Sequence, residues 1–436
     1  MTLIRICAAL VTVVAAWSFS GQARSQTSQA NIELADLFKV GQFDEARKGY
    51  ARVADKNPND YSAVLQLGRI ALLSNQLNDA QKWFEQALRL QPDDIDAKVM
   101  LAEAFYRRDD FQQAAAALNG VDVSTNKLVI EQYPTLNVAT LESFKGETPY
   151  ELHGEGQTTR LKFIRSDPLP LVNVRVNGGE EVTFFIDTGG SEVTLDSEFA
   201  KELGLPQFGE VQGTFSGGEH TQVGLSRIQS LTLGDWTVTN LPIATIPLRQ
   251  LSKGLGAKRI DGVLGTTLFY HFLATLDFRN GELVLRRKNA QSQEQFAAAS
   301  SGKSVAVPFW IASDHFMVGW GRVNTLPSAL LFVDTGLAGA GVKLAHSAIE
   351  KAGIKLEEDK AYEGAGGAGK LKIVPYTVSQ LSFGDVLEHN VPGLYDGPFP
   401  WEHTFGFYLA GMVGHDFFKP YAVTFDFQAM RIVLQQ

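Results

Sequence analysis

An apolar run that ends in Asp-Thr-Gly occurs twice in this chain, and the pair constrains the fold more than any other feature. Phe184-Phe185-Ile186 leads into Asp187-Thr188-Gly189, and 147 positions later (187 to 334) Leu331-Phe332-Val333 leads into Asp334-Thr335-Gly336. A strand that ends in this way delivers a carboxylate onto a tight turn, because glycine tolerates backbone that other residues avoid. One copy alone is an ordinary turn. Here the following blocks repeat too: Gly262-Val263-Leu264-Gly265 is echoed by Gly411-Met412-Val413-Gly414, at an offset of 149 (265 to 414). Thr275-Leu276-Asp277-Phe278 and Thr424-Phe425-Asp426-Phe427 keep that offset. So do Asn240-Leu241-Pro242 and Asn390-Val391-Pro392 to within a residue, each after a Leu-x-x-Gly-Asp. One domain is therefore present twice, with one Asp-Thr-Gly aspartate in each half.

Within each half the pattern reads as short strands. Leu171 to Val176 alternates, Asn177-Gly178-Gly179 is a hairpin turn, and Val182 to Ile186 returns as an apolar strand to Asp187. Val305 to Ile311, Phe316 to Val323 and Ala329 to Val333 do the same for Asp334. A short helix follows each motif: Asp196 is placed to cap Ser197 to Leu203, and Ala345 to Ala352 ends at Gly353. Next come two glycine-bearing segments, Gly213-Thr214-Phe215-Ser216-Gly217-Gly218 and Gly364-Ala365-Gly366-Gly367-Ala368-Gly369. The expected lobes are 151–287 and 304–436. The polar stretch 288–303, rich in Ala, Ser and Gln, is expected as a flexible connector.

Residues 27–120 read differently, as helical hairpins. Ala46, Ala80 and Ala114 fall on a 34-residue period, as do Pro58 and Pro92. The middle unit, with Leu67-Gly68, Ala80, Phe84, Ala87 and Pro92, resembles the tetratricopeptide repeat closely, the flanking units less so. That resemblance implies either a groove for a protein partner or a brace packed on the rest of the chain. Residues 121–150 are expected as a linker. Residues 1–25 carry Arg5, an apolar run from Ile6 to Trp17 and small residues around Gly21-Gln22-Ala23, the layout of a cleavable secretory signal. The run is short for a membrane span, so none is expected to remain after cleavage. Cys7, the single cysteine, lies inside that run, which leaves the mature chain without disulfides. A periplasmic or secreted location is expected.

With its motifs in view, the region from about 150 to 436 resembles an aspartic peptidase of the pepsin and retroviral-protease type, duplicated in a single chain. The resemblance implies a mostly β, bilobal domain behind the α-helical repeats. It implies Asp187 and Asp334 as catalytic residues that share a proton across a pseudo-twofold axis and activate a water between them. Aspartic peptidases are themselves the type case of two carboxylates holding one proton, so this property comes with the resemblance. Thr188, Gly189, Thr335 and Gly336 are then the support of the dyad. Gly213, Phe215, Gly217 and Gly218 in one half, and Gly364, Gly366 and Gly367 in the other, are flap residues that close over a substrate. The chain is expected to be an exported endopeptidase for peptide or protein substrates, needing no cofactor, no metal and no dimer to complete its site. The alternative is a catalytically inactive peptide-binding module of the same shape. Two departures from the family pattern stand out: Gly190 and Leu337 follow the motifs where serine, threonine or alanine is usual, and Thr266-Thr267 stands where the second half has Asp416.

Other chemistries fit poorly. A net charge of −9 leaves no basic surplus for a nucleic-acid partner. Gly364 to Gly369 matches a dinucleotide-loop spacing but opens no helix. The eight histidines are scattered without metal-ligand spacing, and His220, His346 and His389 are expected as ordinary surface or core residues.

Overall fold

The computed structural model describes residues 32–300, 302 and 304–436. The expected signal segment and Cys7 lie outside these residues. Among those described, no helix is long and apolar enough to cross a membrane.

The N-terminal part is a stack of antiparallel helices. After helical residues 32–39 come Phe43–Lys56, Tyr61–Leu73, Leu77–Leu90, Ile95–Tyr106 and Phe111–Ala117. In Leu77–Leu90 only Ala80, Phe84 and Ala87 are buried, at the spacing of one helical stripe. Gly68 on the preceding helix makes room for this stripe: a Cβ there would stand 2.5 Å from the Phe84 ring. Asp60 and Asp94 cap equivalent helices by accepting from Ala63 N and Ala97 N at 2.9 and 2.7 Å. The turns inside the hairpins use left-handed residues at one repeating position, Gly41 (φ 81°), Asn75 (φ 55°) and Asp109 (φ 63°).

Residues 121–150 are packed rather than loose. Two short helices, Lys127–Gln132 and Val138–Glu142, bury Val129, Tyr133, Leu136, Leu141, Phe144 and Tyr150. Arg227 of the first lobe lies 4.1 Å over the Phe144 ring and donates to the Ser143 carbonyl. The segment is thus a wedge between repeats and lobe.

From Glu151 the chain is mostly sheet. An 8-stranded sheet forms the first lobe, with the strand Glu181–Ile186 lying between Leu171–Val176, antiparallel, and Gly262–Leu264, parallel. The turn joining the antiparallel pair has Asn177 and Gly178 at φ 51° and 70°, the mirror-image turn that matches strand twist. The second lobe repeats the motif: Ala329–Val333 lies between Phe316–Val323, antiparallel, and Leu409–Val413, parallel. The lobes share a 13-stranded sheet in which Ser304–Ala312, Arg431–Gln435, Ala422–Asp426, Phe272–Asp277, Glu282–Arg287 and Thr158–Lys162 follow one another. At its centre the duplicated strands meet antiparallel, with Thr275 directly opposite Thr424 and their hydroxyls 2.7 Å apart. The pseudo-twofold axis runs through this pair.

Residues 289–300, within the stretch expected as a flexible connector, are ordered as a helix and its caps. The helix, Ala290–Ala299, is capped by Asn289 accepting from Ser292 N. Ser292 and Phe296, one turn apart, face inward, and Phe296 packs on Leu273 and Val433 of the shared sheet.

The repeats pack on the second lobe through the same hydrophobic mass. Phe43 meets Trp310 and Phe407 edge-on at 5.2 and 5.0 Å. Gly41 lets the first hairpin approach Leu330, whose Cδ1 would lie 2.7 Å from a Cβ at that position. Arg69 donates to the Phe405 carbonyl at 3.1 Å and covers the Phe38 ring. Of the two roles implied by the repeat, the brace is therefore present within this chain. The helices Tyr61–Leu73 and Ile95–Tyr106 are buried along most of their length.

Candidate active site

Asp187 and Asp334 each follow the last residue of a central strand, and each is tied to the parallel neighbour. Asp187 N donates to the Leu264 carbonyl at 3.1 Å and Asp334 N to the Val413 carbonyl at 3.0 Å. The two-strand support explains why Gly-Val-Leu-Gly and Gly-Met-Val-Gly recur with the aspartates. Gly265 and Gly414 close the approach: a Cβ on either would lie 2.4 or 2.6 Å from backbone oxygens of the loop it flanks.

The loops interlock below the carboxylates. Thr188 N donates to Thr335 Oγ1 and Thr335 N to Thr188 Oγ1, both at 3.0 Å, while Thr188 Oγ1 donates to the Val333 carbonyl. Both threonines are fully buried, so these bonds exchange no partner with water. Gly189 N donates to Asp187 Oδ1 at 2.7 Å and Gly336 N to Asp334 Oδ1 at 2.8 Å. Each loop's glycine faces the opposite acid: a Cβ on Gly189 would sit 2.6 Å from Asp334 Oδ1, and one on Gly336 2.2 Å from Asp187 Oδ1. The geometry thus brings the two sequence-predicted aspartates and their four support residues into one cluster.

The carboxylates retain some solvent contact, yet each is surrounded by enough protein to disfavour its charge. Burial raises Asp187, against the opposing pull of hydrogen bonds from Gly189, Asp334 and Gly190 and the charge of His315. Asp334 is raised further, well above the usual carboxylate range, by burial and then by the charge of Asp187. Two facing acids of this kind hold a single proton between them over a wide pH range. Such a pair can take a proton from a water at one oxygen and donate one from another.

Thr266 answers the departure at Thr266-Thr267, where the first half lacks the acid of the second. Its Oγ1 donates to the Thr188 carbonyl at 2.9 Å, and Thr267 Oγ1 to the Ser191 carbonyl at 3.1 Å, so hydroxyls brace the first loop where an acid was missing. Gly190 has no side chain to donate to Asp187, and its amide donates to the Asp187 backbone carbonyl at 3.3 Å. Asp416, in the second half, pairs instead with Lys419 at 2.6 Å.

The glycine-bearing segments form the tips of two hairpins. Gly213 lies on Gly209–Thr214, which pairs with His220–Leu233, and Gly217 and Gly218 sit in the turn at φ 78° each. Gly364 and Gly366 lie on Tyr362–Gly366, paired with Gly369–Phe383, with Gly367 at the turn. The dinucleotide-like spacing is therefore a hairpin tip. The tips touch: Phe215 lies against Gly367, where a Cβ would come within 2.3 Å of the ring.

Sequence reasoning missed a set of polar residues around this cleft. Lys343, fully buried, pairs with Asp396 and donates to Ser216 Oγ at 2.9 Å, while Ser216 Oγ donates to Asp396 Oδ2 at 2.7 Å. These bonds fasten the first hairpin tip to the second lobe. Burial lowers the Lys343 ammonium, with Asp396 and Asp334 opposing. Asp314 and His315, on the turn between Ser304–Ala312 and Phe316–Val323, reach the first lobe: Asp314 accepts from Ser191 Oγ at 3.0 Å, and His315 Nε2 lies 3.1 Å from the Gly189 carbonyl. Lys343 stands 149 positions after Thr194, and a comparison of the halves at that offset is the signal that singles it out. No motif marks Asp314 or His315.

Among the described residues one group, Asp167, His415 and Asp416, is close enough to hold a cation. Lys419 already places its ammonium against both carboxylates, and this charge occupies the place a metal would need.

Comparison with known proteins agrees with this reading. Residues 172–268 match the family model described as aspartyl protease, and residues 35–95 and 72–127 match two models described as tetratricopeptide repeat. The chain thus joins tetratricopeptide repeats to a strand-rich domain of aspartyl-protease type. No curated protein matches it. Solved structures with local likeness include a retropepsin-like aspartic protease from Rickettsia conorii, at 18% identity over 32% of this chain and 96% of that one, TM-score 0.24. The MamA protein is 21% identical over 28% of this chain and 66% of its own, TM-score 0.24. An O-GlcNAc transferase from Thermobaculum terrenum is 14% identical over 22% of this chain, TM-score 0.22, and only 18% of its length is covered.

Proposed function

We propose that this protein is an aspartic-type endopeptidase that hydrolyses peptide bonds with a water activated between Asp187 and Asp334. The observation that carries the reading is the reciprocal pair of bonds between Thr188 and Thr335, which presents the two acids to each other across the lobes. In the reaction one carboxylate takes a proton from the attacking water, and the other, protonated, gives its proton to the scissile carbonyl. No covalent intermediate is formed. The hairpins tipped by Phe215 and Gly367 act as flaps, and the bonds of Ser216 to Asp396 and Lys343 open to admit an extended peptide. Because both acids lie in one chain, the monomer is the working unit. The layout of residues 1–25 supports export to the periplasm or the medium, and the outward surface of the repeats is left to a protein partner.

Incubating the purified chain with a mixed peptide library, from acid to neutral pH, tests the reading. Asp187→Asn and Asp334→Asn are each expected to lower turnover at least about a thousandfold while the fold is kept. A transition-state-mimicking inhibitor of aspartic peptidases is expected to stop the wild type. Peptide binding without cleavage favours the inactive binding module; unchanged turnover in either variant excludes the dyad mechanism.

A further inference from the structure

His315 sits where it can act on the dyad without touching the reacting atoms. Its Nδ1 faces Asp314 Oδ1 and its Nε2 lies 3.1 Å from the Gly189 carbonyl oxygen. The ring thus bridges Asp314 and the Gly189 peptide. Asp314 is built to anchor that bridge. It is buried, and besides His315 it accepts from Ser191 Oγ at 3.0 Å and Ser313 Oγ at 3.1 Å. Burial opposes its ionisation, but the His315 charge and these hydrogen bonds outweigh the effect and hold its carboxyl below the usual range.

The residue that His315 grips is the one that orients Asp187. Gly189 N donates to Asp187 Oδ1 at 2.7 Å, and its carbonyl, on the other side of the same residue, meets the imidazole. The second loop has no equivalent, since Pro168, which has no side-chain donor, stands 147 positions before His315, the offset of the two Asp-Thr-Gly motifs. The turn that carries His315 is held from outside the cleft. Arg107, on the third repeat, donates to the Ser313 carbonyl and pairs with Glu103 at 2.6 Å, and Ser313 Oγ lies against the Gln132 carbonyl. Phe316 and Phe332 flank the ring.

We propose that His315, held by Asp314, is a positioning residue for Asp187: it fixes the Gly189 peptide that orients the carboxylate and brings its own charge beside it. This rests, for its effect on turnover, on the peptidase reading above. The charged groups that bear on the ring are Asp314 on its own turn, Asp187 and its partner Asp334 across the cleft, and Glu192 with the Glu103–Arg107 pair behind Asp314. The positive charge favours the ionised form of Asp187, a contribution in the same direction as the Gly189 bond.

Two measurements on the full chain test this. The first is nitrogen NMR of protein labelled with ¹⁵N-histidine, the His315 signals assigned by their loss in His315→Gln. Nε2 is expected to carry the proton that it donates to the Gly189 carbonyl; a bare Nε2 overturns the proposal. The second is kinetics on a peptide that the wild type cleaves. His315→Gln, with melting checked, is expected to lower kcat by about tenfold to a hundredfold with KM little changed, as loose positioning does. Its acid limb in kcat/KM is expected to move up by about one pH unit, because Asp187 loses a neighbouring cation. Asp314→Asn, which keeps the shape and removes the counter-charge, is expected to share the kcat loss. Folded His315→Gln with wild-type kcat and an unmoved limb overturns the proposal. A wild type that cleaves nothing removes the peptidase reading instead and leaves the ring nitrogens to decide the placement of His315.

Discussion

Thr188 contributes three hydrogen bonds to the meeting of the loops and is itself braced by Thr266, so the site is built on hydroxyls as much as on acids. Replacing Thr266 by Val leaves the Thr188 carbonyl without that donor. A loss of about 1 kcal/mol is expected in urea unfolding, with a measurable drop in turnover. Lys343 is a sharper case. Asp396 is paired with it at only 2% side-chain exposure, so Lys343→Met strands a buried carboxylate. The expected cost is about 3–5 kcal/mol, read by chemical denaturation, and Lys343→Met with Asp396→Leu should recover part of it. Recovery of nothing would mean the pair is not a unit. At this scale the Asp-Thr-Gly triplets were legible because the turn needs those residue types in sequence. Asp396, Asp314 and His315 were not, and Lys343 is marked only by the offset that sets it against Thr194. They converge from strands and turns far apart in the chain, and no motif records that convergence.

Elements carry their own signals where the geometry is local. Gly41, Asn75 and Asp109 share a left-handed conformation at one point of the repeat, and all three are residue types that tolerate it. Gly68 facing Phe84 fixes how closely two helices approach, and Phe84→Ala is expected to cost about 3–5 kcal/mol of stability. The helix Ala290–Ala299 was hidden by its polar composition, although Asn289 as a cap and Ser292 with Phe296 one turn apart were available to mark it. The glycine-bearing segments, expected as flaps, form hairpin tips, but nothing local to either reveals that Phe215 rests on Gly367. Gly367→Ala pushes a methyl group into that ring. Hydrogen exchange of the hairpin spanning residues 209–224 is therefore expected to quicken in this variant; unchanged protection there would show that the tips do not depend on each other.

Across the whole molecule the repeats and the peptidase-like domain are joined by buried polar groups as well as by aromatic packing. Glu192, five residues past Asp187, accepts from the Tyr106 hydroxyl of the third repeat and is almost fully buried. Burial is the main cause that pushes its carboxyl up to about 8, with the charges of Asp314 and Glu103 adding to it against the Tyr106 bond. A carboxyl raised on folding stabilises the fold fully below its unfolded value, near 4.5, and that contribution is lost as pH rises through about 8. The melting temperature of the wild type is thus expected to fall between pH 5 and pH 8.5 more steeply than that of Glu192→Gln; parallel curves would contradict it. The same interface predicts that a chain lacking residues 32–120 exposes Trp310, Phe405 and Phe407 and aggregates. The duplication and the repeat period disclosed both parts of the molecule. Their packing on one another was not legible, because the apolar stripe of a repeat looks the same whether it faces a partner or its own chain.

If two copies of one lobe, in one chain, complete a single two-aspartate site, the number of inhibitor molecules bound per chain is fixed. Calorimetric titration of the purified protein with a transition-state-mimicking inhibitor reads that number. One inhibitor bound per chain is expected, with binding lost or greatly weakened in both Asp187→Asn and Asp334→Asn. One inhibitor per two chains, or affinity untouched by either substitution, would mean that the two lobes do not build the site together.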